Sequence, residues 1–147
     1  MRLSDYLCRD CVIADLAAHD KKHVLRELAA KAAAVGLDEN NVLRVLQDRE
    51  NLGSTAVGEG IAIPHGKMPG LEKMLLIVAR SMQGIDFEAP DKRPCRLFFM
   101  VLAPDGAASQ HLGLLGSIAR LTRDGAFTAR LLQAGNAEEL NAFLSAV

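Results

Sequence analysis

The chain has 147 residues, 50% of them hydrophobic and 24% charged, with a formal net charge of −1, which suits one globular domain around one core. The near-neutral balance, with no Trp and one Tyr beside five Phe, excludes the basic, aromatic-lined face of a nucleic-acid-binding module and calls for an aliphatic core. No apolar run approaches the roughly 20 residues of a membrane helix, and the opening MRLSDYLCRD lacks the apolar stretch of a signal peptide, so a cytoplasmic protein without membrane insertion is expected.

In chain order, residues 11–16 can form a short first strand. Asp20 can cap a helix running to about Val35, with Val24, Leu25, Leu28, Ala29 and Ala32 at helical spacing and Gly36 ending it. Asp38 can cap a second helix to about Glu50, striped by Val42, Val45 and Leu46. Arg49 continues that stripe, so it meets an anion, snorkels to solvent, or pairs with a carboxylate such as Glu50 or Glu59. The glycines, β-branched residues and proline of residues 54–67 predict short strands and tight turns. MLLIVAR (74–80) and RLFFMVL (96–102) read as strands buried on both faces, joined by the turn-rich QGIDFEAPDKRP. Ser109 is expected to cap a helix over 110–122. A short helix follows over 126–133. Asn136, with Glu139 three residues on, resembles a capping box for a last helix striped by Leu140, Phe143, Leu144 and Val147. Helices at both ends of the chain and hairpin-like strands between them predict an α+β fold, with helices on both faces of a small mixed sheet.

Ile63-Pro64-His65-Gly66 is the most informative tetrapeptide. Pro64 fixes its own φ and pushes Ile63 to extended backbone, while Gly66 lets a backbone or ligand approach closely. His65 is thus held on a stiff chain with space beside it. An imidazole near its ordinary pKa of about 6.5 is mostly neutral and nucleophilic at neutral pH, which suits a phosphoacceptor as well as it suits a plain turn histidine. His111 falls at a predicted helix N-terminus, where free N–H groups favour an anion and disfavour imidazolium; a core or capping histidine fits the same place. Ser54 and Thr55 lie in a glycine-flanked turn whose hydroxyls and N–H groups could hold phosphate oxygens. Gly58-Glu59-Gly60 is not a dinucleotide fingerprint, and no GxxxxGK[ST] loop occurs, so ATP is not the expected phosphoryl donor.

Three cysteines, Cys8, Cys11 and Cys95, form no even disulfide framework and are expected to be free thiols of a reducing compartment. Cys8 and Cys11 with His19 and His23 have finger-like pair spacings, but only seven residues separate the pairs, against about twelve in a zinc finger. No metal site is expected.

The run RENLGSTAVGEGIAIPHGK (49–67), followed by GIDFEAPD, RLFFMVLAP and SQHLGLLGSIARL, resembles the enzyme IIA domains of the fructose/mannitol class of the bacterial phosphoenolpyruvate-dependent phosphotransferase system. The resemblance spans essentially the whole chain, read as a single enzyme IIA domain over 1–147, and is nearest the nitrogen-regulatory members of that class. It implies a three-layer α/β/α fold. It implies that His65 is phosphorylated, through Nε2, with His111 as its active-site neighbour and Arg49 in the phosphate site. Ser54, Thr55 and Glu59 fall in the same pocket segment, with Pro64 and Gly66 flanking the histidine. It also implies an HPr-like phosphocarrier as donor, and an enzyme IIB or a regulatory target as acceptor, with no cofactor required. Glu59 either orients Arg49 or belongs to the docking surface.

Overall fold

The structure, a computed structural model, describes residues 2–147. After a 3-10 turn at Leu3–Asp5 come β1 (Leu7–Ile13), α1 (Lys21–Ala33), α2 (Glu39–Glu50), β2 (Ala56–Gly58), β3 (Ile61–Ala62), β4 (His65–Lys67), β5 (Leu75–Ile85), β6 (Cys95–Ala103), α3 (Ala108–Arg123), α4 (Gly125–Gln133) and α5 (Ala137–Leu144). The sheet order is β1-β5-β6-β3-β2, with β4 also pairing β6. β1 and β5 run parallel, β5 and β6 antiparallel, and β3 and β4 each lie parallel to β6. The expected mixed sheet is therefore present.

The period-2 geometry of β6 divides its apolar run between two cores. Phe98, Met100 and Leu102 pack with Val24, Leu25, Leu28, Val42 and Leu46 beneath α1 and α2. Leu97, Phe99 and Val101 pack with Leu114, Ile118, Phe127, Leu131, Leu140 and Leu144 beneath α3, α4 and α5. Burial on both faces is what turned the period-2 strand signal into a continuous apolar run. β5 carries one buried charge: Arg80, 3% exposed, donates from Nε to Ala14 O and from Nη1 to Leu131 O and Ala134 O. Those carbonyls at the end of α4 would otherwise be orphaned, so the buried guanidinium joins β5 to α4.

The caps follow local chemistry. Asp20, Asp38 and Asn136 each accept a hydrogen bond from the backbone N–H three residues on. Glu139 returns its carboxylate to Gly135 N rather than to Asn136 N, completing the box one residue early. Ser109 does not cap α3: the helix starts at Ala108, Ala107 occupies the cap position without a side-chain bond, and Ser109 is exposed in the first turn. The 104–107 turn, closed by Ala107 N donating to Pro104 O, starts the helix two residues before the expected point. β1 begins at Leu7 rather than residue 11, and β5 runs on to Ile85. Cys8 and Cys11 are joined in a disulfide rather than free, and Cys95 is a free buried cysteine.

Candidate functional site

The site is built where the end of α2 and the start of α3 converge on the short edge strand β4. β4 is hydrogen-bonded along one side to β6, with His65 opposite Val101, Gly66 opposite Leu102 and Lys67 opposite Ala103. Pro64 O accepts from Val101 N at 2.9 Å. His65 is therefore mounted against the central strand β6, and alternation places Lys67 on its side and Gly66 on the other.

The missing side chain of Gly66 is filled by α2. A Cβ built there would fall within the van der Waals shell of Val45 Cγ1, with Val45 O at 3.6 Å. The close approach expected at Gly66 is thus that of a helix. Arg49 lies one turn beyond Val45, so seating Val45 on Gly66 carries Arg49 to the imidazole. Its Nη1 donates to Gly53 O at 2.9 Å, which also suits a cation at a helix C-terminus. The cleft around His65, about 460 Å3, is lined by Val45, Asp48, Arg49 and Leu52 of the α2 end, by Gly66 and Lys67, and by His111.

His65 is half-buried, and its Nδ1 lies 2.7 Å from Ile63 O. A carbonyl oxygen can only accept, so Nδ1 carries the proton and, in the neutral ring, the Nε2 lone pair is free. Burial pushes the His65 pKa below its ordinary value; the bond to Ile63 O opposes this, and the Arg49 charge adds to it. The His111 ring meets His65 edge-on, with centroids 5.5 Å apart. His111 is 8% exposed, and its Nε2 is buried without a hydrogen-bond partner. Burial lowers its pKa too, with His65 and Lys67 contributing. A buried ring nitrogen left unpaired costs about 1–3 kcal/mol, so His111 Nε2 carries hydrogen-bonding capacity that no protein group uses.

Of the expected site residues, the fold brings together His65, His111 and Arg49, with Gly66 as packing and Pro64 as backbone support. It does not bring the Ser54 and Thr55 hydroxyls into the cleft. Ser54 Oγ donates to Phe87 O and accepts from Ala56 N. Thr55 gives its hydroxyl and its N–H to the Glu50 carboxylate. Both hold the turn that presents Gly53 O to Arg49. Glu59 stands apart. It is a left-handed residue (φ 56°) in the β2–β3 turn, its N–H bonded to Asp91 Oδ2 at 2.7 Å. It lines a separate hollow with Ala119, Thr122 and Arg123, roughly 12–18 Å along α3 from His111 at 1.5 Å per residue.

Glu50 was foreseen only as a partner for Arg49. It is instead 7% exposed, paired with Lys21 Nζ at 3.0 Å and bonded to Thr55. Its signal was its place beside Arg49 at the helix end, but only the tertiary fold selects Lys21. Lys67 lies within the 49–67 run with nothing in its spacing to mark it, and the fold sets it in the cleft with His65 and His111. The finger-like set does not converge: the two cysteines bond each other, and His23 Nδ1 lies 2.7 Å from the capping Asp20 carboxylate.

A neutral nucleophilic nitrogen, an orphaned second imidazole and two cations suit the transfer of phosphoryl groups on histidine. The sequence profile of the phosphoenolpyruvate-dependent sugar phosphotransferase system EIIA 2 family matches residues 5–147, and the chain belongs to that family. It is an EIIA-type phosphocarrier, a phosphotransferase component of a family that works through a phosphohistidine intermediate. It is 44% identical over 146 residues to a nitrogen regulatory protein of Bradyrhizobium diazoefficiens, covering 99% of this chain and 95% of that one. It is 36% identical over 123 residues to a fructose-specific EIIA component of Haloferax volcanii, covering 84% and 79%. The crystal structure of the nitrogen regulatory protein IIA-Ntr from Neisseria meningitidis superposes with a TM-score of 0.89 at 30% identity, covering 97% and 98%. Among the described residues no helix is long and apolar enough to cross a membrane.

Proposed function

We propose that His65 accepts a phosphoryl group through Nε2 from the phosphohistidine of an HPr-like carrier protein, and that the phosphorylation state of this one-domain chain signals to a regulatory target in the cytoplasm. The observation that carries the reading is the bond from His65 Nδ1–H to Ile63 O, which leaves Nε2 as the attacking atom. The Nε2–P bond forms in line as the P–N bond to the donor's imidazole breaks, and the donor nitrogen keeps the electron pair. Arg49 and Lys67 offset the charge on the three phosphoryl oxygens, Arg49 through its fork of donors. His111 Nε2–H supplies a further donor once an oxygen arrives. Pro64 and Gly66 hold the histidine in place. Ser54 and Thr55 act through the turn beneath Arg49, and Glu59 belongs to the outer docking surface.

The partner would meet an apolar rim. Leu52 beside the cleft is 85% exposed, and Leu112, next to His111, is 73% exposed. A carrier that docks there excludes water from the transfer. About two negative charges added between these leucines would change which partner surface fits. The regulatory reading is favoured by the 44% identity to a nitrogen regulatory protein. The 36% identity to a fructose-specific component supports a second reading, in which an enzyme IIB takes the phosphoryl group onward to a sugar.

The test is incubation with a phosphoenolpyruvate-driven carrier system, followed by mass mapping. One acid-labile phosphoryl group is expected on His65, and none in His65→Ala. Label at another residue, or label surviving in His65→Ala, refutes the assignment. Adding enzyme IIB and sugar separates the two outlets: onward transfer supports the uptake reading, and retention of label with phosphorylation-dependent capture of a regulator supports signalling.

A further inference from the structure

The cysteine pair is absorbed by no part of the phosphoryl site. β1 leaves register with its neighbour at one place: between the pairs Leu7–Leu76 and Val12–Val78 it advances five residues while β5 advances two. Three surplus residues therefore bulge from the ladder, within the segment Cys8-Arg9-Asp10-Cys11. The ends of that segment are linked, with Cys8 and Cys11 disulfide-bonded and their Cα atoms 5.1 Å apart, a span a disulfide accepts without moving backbone.

As a staple the link has little to do. It closes a loop of sequence separation 3, so it removes little entropy from the unfolded chain. The bulge is already tied down, because Asn141 Nδ2 of α5 donates to Arg9 O at 3.2 Å. What the pair does have is graded access. Cys11 is 0% exposed within the core beneath α1, and Cys8 is half-buried at the margin of that core. A reachable sulfur beside a buried resolving one is the arrangement of exchange-active cysteines. Cys95 is the contrast: it is fully buried, with no disulfide partner.

We propose that Cys8 and Cys11 form a reversible thiol–disulfide exchange site whose reactants are small thiols and disulfides of the glutathione type. In the oxidising direction the Cys8 thiolate attacks one sulfur of the small disulfide; a Cys8–S bond forms, the reactant's S–S bond breaks, and the first thiolate leaves and takes a proton. The Cys11 thiolate then attacks Cys8 Sγ and expels the second thiolate, which is also protonated. The protein dithiol loses two electrons and two protons, and the small disulfide becomes two thiols. β1 is the edge strand opposite β2, β3 and β4, so exchange there leaves His65 reachable.

The experiment uses the full chain, folded, treated with oxidised glutathione or with dithiothreitol, quenched with acid and freed of reagent, then denatured, alkylated and digested with trypsin. Trypsin cuts after Arg9, so the link joins peptides 3–9 and 10–21. Oxidised protein is expected to show that linked pair with Cys95 alone alkylated, and reduced protein to show all three cysteines alkylated. Cys11→Ser is expected to accumulate glutathione on Cys8, while Cys8→Ser leaves Cys11 unmodified. Three alkylatable cysteines after oxidised glutathione, a link that dithiothreitol cannot open in the folded protein, or Cys11→Ser without an adduct on Cys8 would each overturn the proposal. The first two results are read on the unaltered chain and do not depend on either variant folding.

Discussion

Replacing Gly66 by alanine tests how α2 is seated and what that seating does for the histidine. Gly66 has no positive φ, so its backbone accepts alanine, and the usual Gly→Ala gain from the unfolded state, about 0.4–1 kcal/mol, works in the variant's favour. Against it stands the contact with Val45: the new Cβ lies inside the shell of Cγ1, backed by Val45 O at 3.6 Å and Val45 Cβ at 3.8 Å. The helix or its side chain must yield by about 1 Å, and overpacking of that kind costs about 1–3 kcal/mol. A net loss of about 1–2 kcal/mol is expected. Because Arg49 rides one turn further along α2, a lift of about 1 Å is expected to slow phosphoryl transfer to His65 by up to about 100-fold. The assay is a double-mutant cycle by urea unfolding, run with transfer rates from a phosphorylated carrier. Val45→Ala removes the obstructing atoms, so the double variant should recover about 1 kcal/mol or more over the sum of the single losses. Wild-type stability in Gly66→Ala, or strictly additive losses, would refute the reasoning.

The depressed His65 and His111 pKa values bear on both activity and stability. His65 should remain a competent acceptor below pH 6.5, and its NMR titration midpoint should fall below the ordinary histidine value; a midpoint at or above it contradicts the burial argument. Because both groups hold protons less tightly folded than unfolded, their contribution to stability is intact above about pH 6.5 and is lost as pH falls through the folded pKa values; His65→Ala and His111→Ala should each flatten that slope. Glu50→Gln removes the charge paired with Lys21 and one of the two oxygens serving Thr55; a loss of about 1–3 kcal/mol with slower transfer is expected, and unchanged unfolding and kinetics would remove it from the support of Arg49. Arg80→Met fills much of the same volume but orphans three carbonyls; about 3 kcal/mol should be lost in denaturant unfolding, with transfer at low temperature unaffected.

The parts of the fold that were legible in the sequence are those decided locally. Asp20, Asp38 and Asn136 cap helices because a carboxylate or amide three residues before a free N–H needs nothing else. The apolar runs of β5 and β6 announced strands covered on both faces. Ser109 carried the same local signal and lost to the turn that starts α3 at Ala108. The start of β1 was hidden because the bulge at residues 8–11 interrupts its period. At the site, the stiffness of Pro64-His65 and the inward Arg49 were readable. The distant partners of Ser54 and Glu50 were not, since Phe87 and Lys21 lie 33 and 29 residues away in sequence and reach the turn only through the fold; Thr55 is held by Glu50, five residues back, but that pairing forms only when the turn folds the chain onto the end of α2.

On the proposed reading, the attachment of His65 to β6 constrains the kind of message its phosphorylation would send. Its neighbouring carbonyl accepts from Val101 N and its short strand is registered along one side on β6, so the backbone beneath the ring is held by the sheet rather than by a lid. If His65 is phosphorylated as proposed, a phosphoryl group on such a mount would leave the outline of the protein nearly unchanged and alter its surface potential instead. A partner that distinguishes the two forms is then reading charge across a few ångströms, and its discrimination should weaken as added salt shortens the screening length from about 8 Å.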